Sequence, residues 1–285
     1  MKAALLPTSG EPHLAAYWCR AYTYTWRGEV DELVVYVNGD TASVPIYASV
    51  GARVLATSER LNHGAVIDML LAETRADTVV LVEDDAFVRE PRAIAMALAL
   101  VADGIVLGCP RGGMDPAIAE AADRKWGPVV GPDTSTGHGL WPCFLFGRTS
   151  DLRAAGSFAS RTWGSGEIIP GLGYTVPYLM TTDTASAAAF VLRDRCTIIP
   201  IVQHKELWQK DLPEHGAPWL HAGGLSTDPG SARPDIGMDN LEGRDWAHRF
   251  WWWRRIGLDY RVHWERAGVD PDYWTDTLLP WITWE

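Results

Sequence analysis

Apolar runs and amphipathic stretches alternate through the first half of the chain. AALLPT reads as a strand stopped at a proline, and HLAAYWCRAYTYTW as a helix with Leu14, Tyr17, Trp18 and Tyr22 near one face. LVVYVNGD and ARVLAT follow as strands, then NHGAVIDMLLAETRAD as a helix that Asn62 can cap. TVVLVEDD is the next strand. PRAIAMALALVADG is a helix with Pro91 in its first turn and Gly104 as its stop, and GIVLGCP is a strand. Strands alternating with helices predict parallel pairing through right-handed crossovers. LVVYV and VVLV are apolar on both faces, as strands covered by helices on both sides are. The expected fold class is α/β, with a mixed, mainly parallel sheet flanked by helices.

The second half is less regular. RGGMDPAIAEAADRKWG contains a short helix, and DTASAAAFVLRDR is a helix that Thr182 or Asp183 can cap. TIIPIVQH is a strand. GPDTSTGHGLWP and SRTWGSGEIIPGLGY are loops rich in Gly, Ser and Thr, the kind of segment that carries function. The pattern divides the chain into a main domain over 1–226 and a C-terminal part over 227–285. That part is a polar linker over 227–240 and then an aromatic, basic helical extension.

Composition narrows the function classes. Of 285 residues, 25 are basic and 36 acidic, for a formal charge of −11. A chain of that sign is not coated for general nucleic-acid or membrane binding. Locally it differs: 244–266 places six arginines beside Trp246, Phe250, Trp251, Trp252, Trp253, Tyr260 and Trp264. Such a segment can hold phosphates and stack bases, form a homo-oligomer interface, or pack as a helical layer, the commonest case. Cys19, Cys109, Cys143 and Cys196 lack CxxC spacing and read as small buried hydrophobes of a reduced, cytoplasmic protein. No apolar run has the length of a membrane span, and MKAALLPTSG is too short for a signal peptide.

The candidate chemistry sits where strands end. In TVVLVEDD an apolar strand runs into Glu83, Asp84 and Asp85, and strand alternation would put Glu83 and Asp85 on one face. Three adjacent carboxylates at a buried strand end repel one another and lose hydration. A divalent cation removes that penalty, and manganese or magnesium favours oxygen ligands shared with substrate phosphates. The alternative is a solvated acidic turn.

In order along the chain, LPTSG, VVYVNGD, the stretch from NHGAV to VEDD, CFLFGRTSDLRAAGSF, TTDTAS and PWLHAGGLS resemble the nucleotide-sugar glycosyltransferases with the GT-A fold. The resemblance spans roughly residues 1–226 and implies a Rossmann-like GT-A domain and an inverting transfer. It makes Glu83-Asp84-Asp85 the DxD-type element, with Glu in place of the commoner Asp at its first position. Asp85 is then the first metal ligand, with Glu83 and His221 completing the site and His204 the competing histidine; whether Glu83 and Asp84 touch the metal or the ribose or sugar stays open. Thr8, Asn38, Asp40, Asn62, Asp84 and Gly223 are the nucleotide-sugar contacts that it implies. It casts Asp183 as the catalytic base, a role that competes with helix capping. The cofactor would be Mn2+ or Mg2+, and the donor a nucleotide-diphosphate sugar, with UDP favoured. Trp141, Trp163 and Tyr174 lie in loops suited to the acceptor, because aromatic rings fit sugar or base faces. A hydroxylated DNA base, modified as in phage enzymes, joins proteins, glycans and metabolites as a possible acceptor. A nucleotidyltransferase is disfavoured, since LPTSGEPH lacks a basic, glycine-rich phosphate loop. A sugar-binding protein with a degenerate site is the alternative outside enzymes.

Overall fold

The structure, a computed structural model, describes residues 1–10, 12–88, 92–112, 114–129, 137–201 and 219–221. The last three residues, His13 and Tyr17 are described by their backbone alone. Strands β1 (Lys2–Thr8), β2 (Glu32–Asn38), β3 (Arg53–Thr57) and β4 (Thr78–Leu81) come first, followed by a short β5 (Ala86–Val88). Then come β6 (Ile105–Gly108), β7 (Pro110–Arg111), β8 (Gly139–Leu140) and β9 (Leu145–Arg148). The rest are β10 (Arg161–Trp163), β11 (Ile168–Ile169), β12 (Tyr174–Thr175), β13 (Met180–Thr182), β14 (Thr197–Pro200) and β15 (Trp219–His221). The helices are α1 (Pro12–Thr25), α2 (Val44–Ser49), α3 (His63–Glu73), α4 (Ala93–Leu100), α5 (Pro116–Trp126), α6 (Thr149–Ala154) and α7 (Ser186–Arg195).

Seven strands form the main sheet in the order β14-β6-β9-β4-β1-β2-β3. All run parallel except β9, which is antiparallel to both β4 and β6. The mixed, mainly parallel class therefore holds. Strand alternation splits the core into two layers. Ala4, Leu6, Val35, Val37, Val80 and Phe146 face one side with α1 and α4. Ala3, Leu5, Val34, Val79, Leu81 and Leu145 face the other with α3 and α7. Most of these side chains are fully buried, each of the larger ones (Val, Leu, Phe) contributing about 1.5–3 kcal/mol relative to exposure. A third cluster, around Ile118, Trp163, Ile169 and Phe190, knits α5 and α7 to the short ribbons β10–β13 and β11–β12.

Two elements differ from the expected pattern. The strand expected to run through VEDD ends at Leu81. Val82 N–H still donates to Leu5 O at 3.0 Å, and then Ala86 N–H donates to Glu83 O at 3.1 Å. The carboxylates lie in that turn, so strand alternation does not apply to Glu83 and Asp85. The helix after TTD begins at Ser186, with Ala185 in the left-handed conformation at its cap. Neither Thr182 nor Asp183 caps it, because Thr182 ends β13 and Asp183 uses its side chain elsewhere. The Arg/Trp-rich segment 244–266, the linker 227–240 and the domain boundary at 226 lie outside the described residues.

Candidate functional site

The strand directions put one set of loops together. β1, β2, β4 and β6 all end at the same edge, and β9 begins there. Ligands of open α/β sheets bind beyond such carboxyl ends. At this edge lie Thr8, Asn38, the Glu83–Asp85 turn and, just after β6, Arg111.

The carboxylates of the turn have separate partners. Asp84 is 2 % exposed and accepts from the Thr8 hydroxyl at 2.5 Å. That hydroxyl accepts in turn from Tyr47 OH at 3.2 Å and from Gly10 N–H at 3.0 Å. Burial first, then the charges of Asp85 and Glu83, push the Asp84 carboxyl up to about 7, against the opposing pull of Thr8 and His63. Glu83 Oε1 sits 2.9 Å from His63 Nε2 in the first turn of α3. Burial lowers the imidazole pKa, but the Glu83 hydrogen bond and the charges of Glu83, Asp84 and Asp85 outweigh it and raise His63 above its ordinary value. Asp85 is 3 % exposed. α1 supports the turn from below, where Trp18 Nε1–H donates to Ala86 O at 3.1 Å.

The neighbouring loops are tied by amides. Asn38, 7 % exposed, donates to Leu61 O at 2.9 Å and accepts from Leu61 N–H at 2.7 Å. Asn62 is the N-cap of α3, accepting from Gly64 N–H at 3.0 Å, and it also donates to Ser160 Oγ at 2.8 Å. Asp40 caps the turn Thr41–Ser43 through Ala42 N–H at 2.9 Å. Gly10, at φ +85°, lies so close to Asp40 that a Cβ there would meet Asp40 O at 2.2 Å; only glycine fits. These bonds give Asn38, Asn62 and Asp40 loop-shaping positions at or beside the edge.

On the other side of the edge, Asp183 is about half exposed and forms an ion pair with Arg111. Its Oδ1 accepts from Thr184 N–H at 2.7 Å. The Arg111 guanidinium lies 4.0 Å from the ring centroid of half-buried Trp141. Of the aromatic residues expected to face the acceptor, Trp141 is linked to Asp183 through Arg111, which contacts both. Trp163 is a correction. It is 2 % exposed inside the third cluster, donates to Thr182 Oγ1 at 2.9 Å and is covered by the Arg161 guanidinium, so its ring faces are used in packing. Tyr174 is half-buried on β12 and packs on that same cluster.

His221 is described only through its backbone, which pairs with Ala86 where β15 runs antiparallel to β5. That register brings PWLHAGG beside the carboxylate turn from far along the chain. Gly223 and His204 lie outside the described residues. Among the described residues, no three His, Cys, Asp or Glu side chains stand arranged as a metal site. His63 and Arg111 were missed from sequence. Their only local signal was position: one at the first turn of a helix after a Asn cap, the other just past a strand's carboxyl end.

No family profile matches the chain, and no curated protein matches it by sequence. Solved structures match part of it. Glucosyl-3-phosphoglycerate synthase from Mycobacterium tuberculosis is 17 % identical with a TM-score of 0.43, covering 70 % of each chain. A mannosyltransferase from Pyrobaculum calidifontis, in complex with GDP-Man and Mn2+, is 13 % identical with a TM-score of 0.42 over 76 % of this chain and 58 % of that one. A nucleotidyl transferase from Methanothermobacter thermautotroptrophicus is 12 % identical with a TM-score of 0.41, over 70 % of this chain and 86 % of that one. The chain spans about half, 54 %, of a further matched mycobacterial protein. At TM-scores and identities this low, the likeness carries no argument about activity. No helix among the described residues is long and apolar enough to cross a membrane.

Proposed function

We propose that the chain is a metal-dependent glycosyltransferase that moves a sugar from a nucleotide-diphosphate sugar to an acceptor hydroxyl with inversion. The observation that carries this reading is the convergence of the Glu83–Asp85 turn and the backbone of His221 through the β5–β15 pairing. Carboxylate oxygens such as those of this turn are what Mn2+ or Mg2+ takes, although among the described residues no three side chains stand arranged as a metal site. Asp85, 3 % exposed in the turn, is the carboxylate assigned first to the ion, with the His221 backbone beside the turn. One or two carboxylates plus substrate phosphates is the usual ligand set of such ions. The ion would offset the charge that develops on the departing diphosphate.

The protein's own residues do the rest. Glu83, oriented by His63, faces the donor's ribose or sugar. Asp183 takes the proton of the acceptor hydroxyl, whose oxygen bonds the anomeric carbon as the bond to the diphosphate breaks on the opposite face. Trp141, half-buried and carrying the Arg111 guanidinium on its ring, is the expected aromatic that remains beside the acceptor side. A hydroxymethylated DNA base is one acceptor compatible with the arginine- and tryptophan-rich 244–266; filter binding at low salt would detect it, and absence of DNA affinity there removes it. The reading is tested with a panel of nucleotide sugars and Mn2+. Slow release of nucleotide from one donor supports transferase chemistry and identifies the sugar. Binding without release from any donor favours a sugar-binding protein.

A further inference from the structure

We propose that Arg111, lying on the Trp141 ring, is a positioning residue for the transfer step, holding the Asp183 carboxylate in place; this rests on Asp183 acting as the base. Arg111 is fixed from several directions. Its backbone pairs with Gly139 where β7 meets β8. The guanidinium lies on the Trp141 ring, 4.0 Å from its centroid, and Nη1 donates to Thr184 O at 3.5 Å. Nη2 pairs with Asp183 Oδ2. The Arg111 side chain is 16 % exposed and that of Asp183 55 %. An exposed carboxylate is thus held by a largely buried cation.

The planar fork of the guanidinium bonds Asp183 and the Thr184 carbonyl together, which one ammonium group does less well. Misplacing a reacting group by about 1 Å can cost on the order of 10²-fold in rate, so fixed placement of the carboxylate matters. Among the described residues, Arg111 is the one charged side chain paired with Asp183; the Thr184 N–H holds the other oxygen.

The experiment uses the full chain with Mn2+ and, separately, UDP-glucose and GDP-mannose, and follows nucleotide release. Calorimetry of UDP with Mn2+ reports the donor site independently. Arg111→Gln is expected to lower kcat by about 10²-fold and to leave UDP affinity unchanged. Arg111→Lys is expected to recover only part of kcat, because one ammonium group bridges the carboxylate and the Thr184 carbonyl less well. A Gln variant with parental kcat overturns the proposal. Should the Gln variant not fold, the Lys variant decides: parental kcat overturns the role, and reduced kcat with unchanged UDP affinity supports it. A parent that turns over a donor while its Arg111 variants match it fails this inference alone. A parent that neither binds UDP with Mn2+ nor releases nucleotide fails the transferase reading, and the Arg111 role with it.

Discussion

On the β1–β2–β4 side of the carboxyl edge, Thr8, Asn38, Asn62 and Asp84 each have a side-chain hydrogen bond to another part of the edge. On the β6–β9 side, the chain runs through ribbons of two or three residues and leaves Ile168, Tyr178 and Leu179 more than half exposed. Such short ribbons are marginal alone and lean on the third cluster. The first side is a fixed cradle, which the proposed function gives to the donor diphosphate. The second is an open rim, which it gives to the acceptor. The contrast teaches that position is enforced differently on the two sides: by a buried network on one, and by a single arginine on the other.

The sharpest way to break this comparison is Asp183→Asn. It removes the proposed base from the open side, and turnover should fall below detection while UDP binding with Mn2+ survives; parental turnover would sink the assignment. Next comes Trp163→Ala, which should lower stability by about 3–5 kcal/mol, as loss of a large core aromatic does. Urea unfolding would show it. The companion Trp163→Phe should keep acceptor affinity, and a large rise in acceptor KM there would return Trp163 to the binding face.

On the fixed side, Thr8→Val leaves the buried Asp84 without its hydroxyl donor, and a loss of about 2 kcal/mol is expected. Tyr47→Phe removes one bond further out and should cost about 1 kcal/mol. Equal losses in both would mean that the network is not ordered around Asp84.

The smallest effect concerns His138, 3 % exposed and 2.8 Å from Asp123. Burial, its largest influence, holds its imidazole below the ordinary value although Asp123 pulls the other way. The unfolded chain takes up the proton first as pH falls, so this group's contribution is full above about 6.5 and is lost below it. Urea midpoints between pH 8 and 5 should fall less steeply in His138→Gln than in the parent. An unchanged slope would contradict the sign.

Much of the fold was legible in the chain. LVVYV and VVLV are apolar on both faces because each face meets its own helical layer, and the strand ends named by LPTSG and VVYVNGD do meet at one edge. Asn62 caps α3 as its position before an apolar periodic run implies. What was not legible is tertiary. Period-two alternation cannot tell where β4 stops, since the limit is set by its pairing with β1 and β9. Nothing local tells that Trp163 faces inward while Trp141 is linked to Asp183 through Arg111. His63 and Arg111 find their carboxylate partners 20 and 72 residues away, a pairing that only the folded chain makes.

The central claim is that the carboxylate turn holds a donor diphosphate through a divalent ion. Calorimetric titration of UDP into the full chain, with and without Mn2+, in the parent and in Asp85→Asn, tests it most directly. The account predicts binding by the parent that depends on Mn2+ and is lost in Asp85→Asn. Equal UDP affinity in both proteins, or binding indifferent to Mn2+, would contradict it.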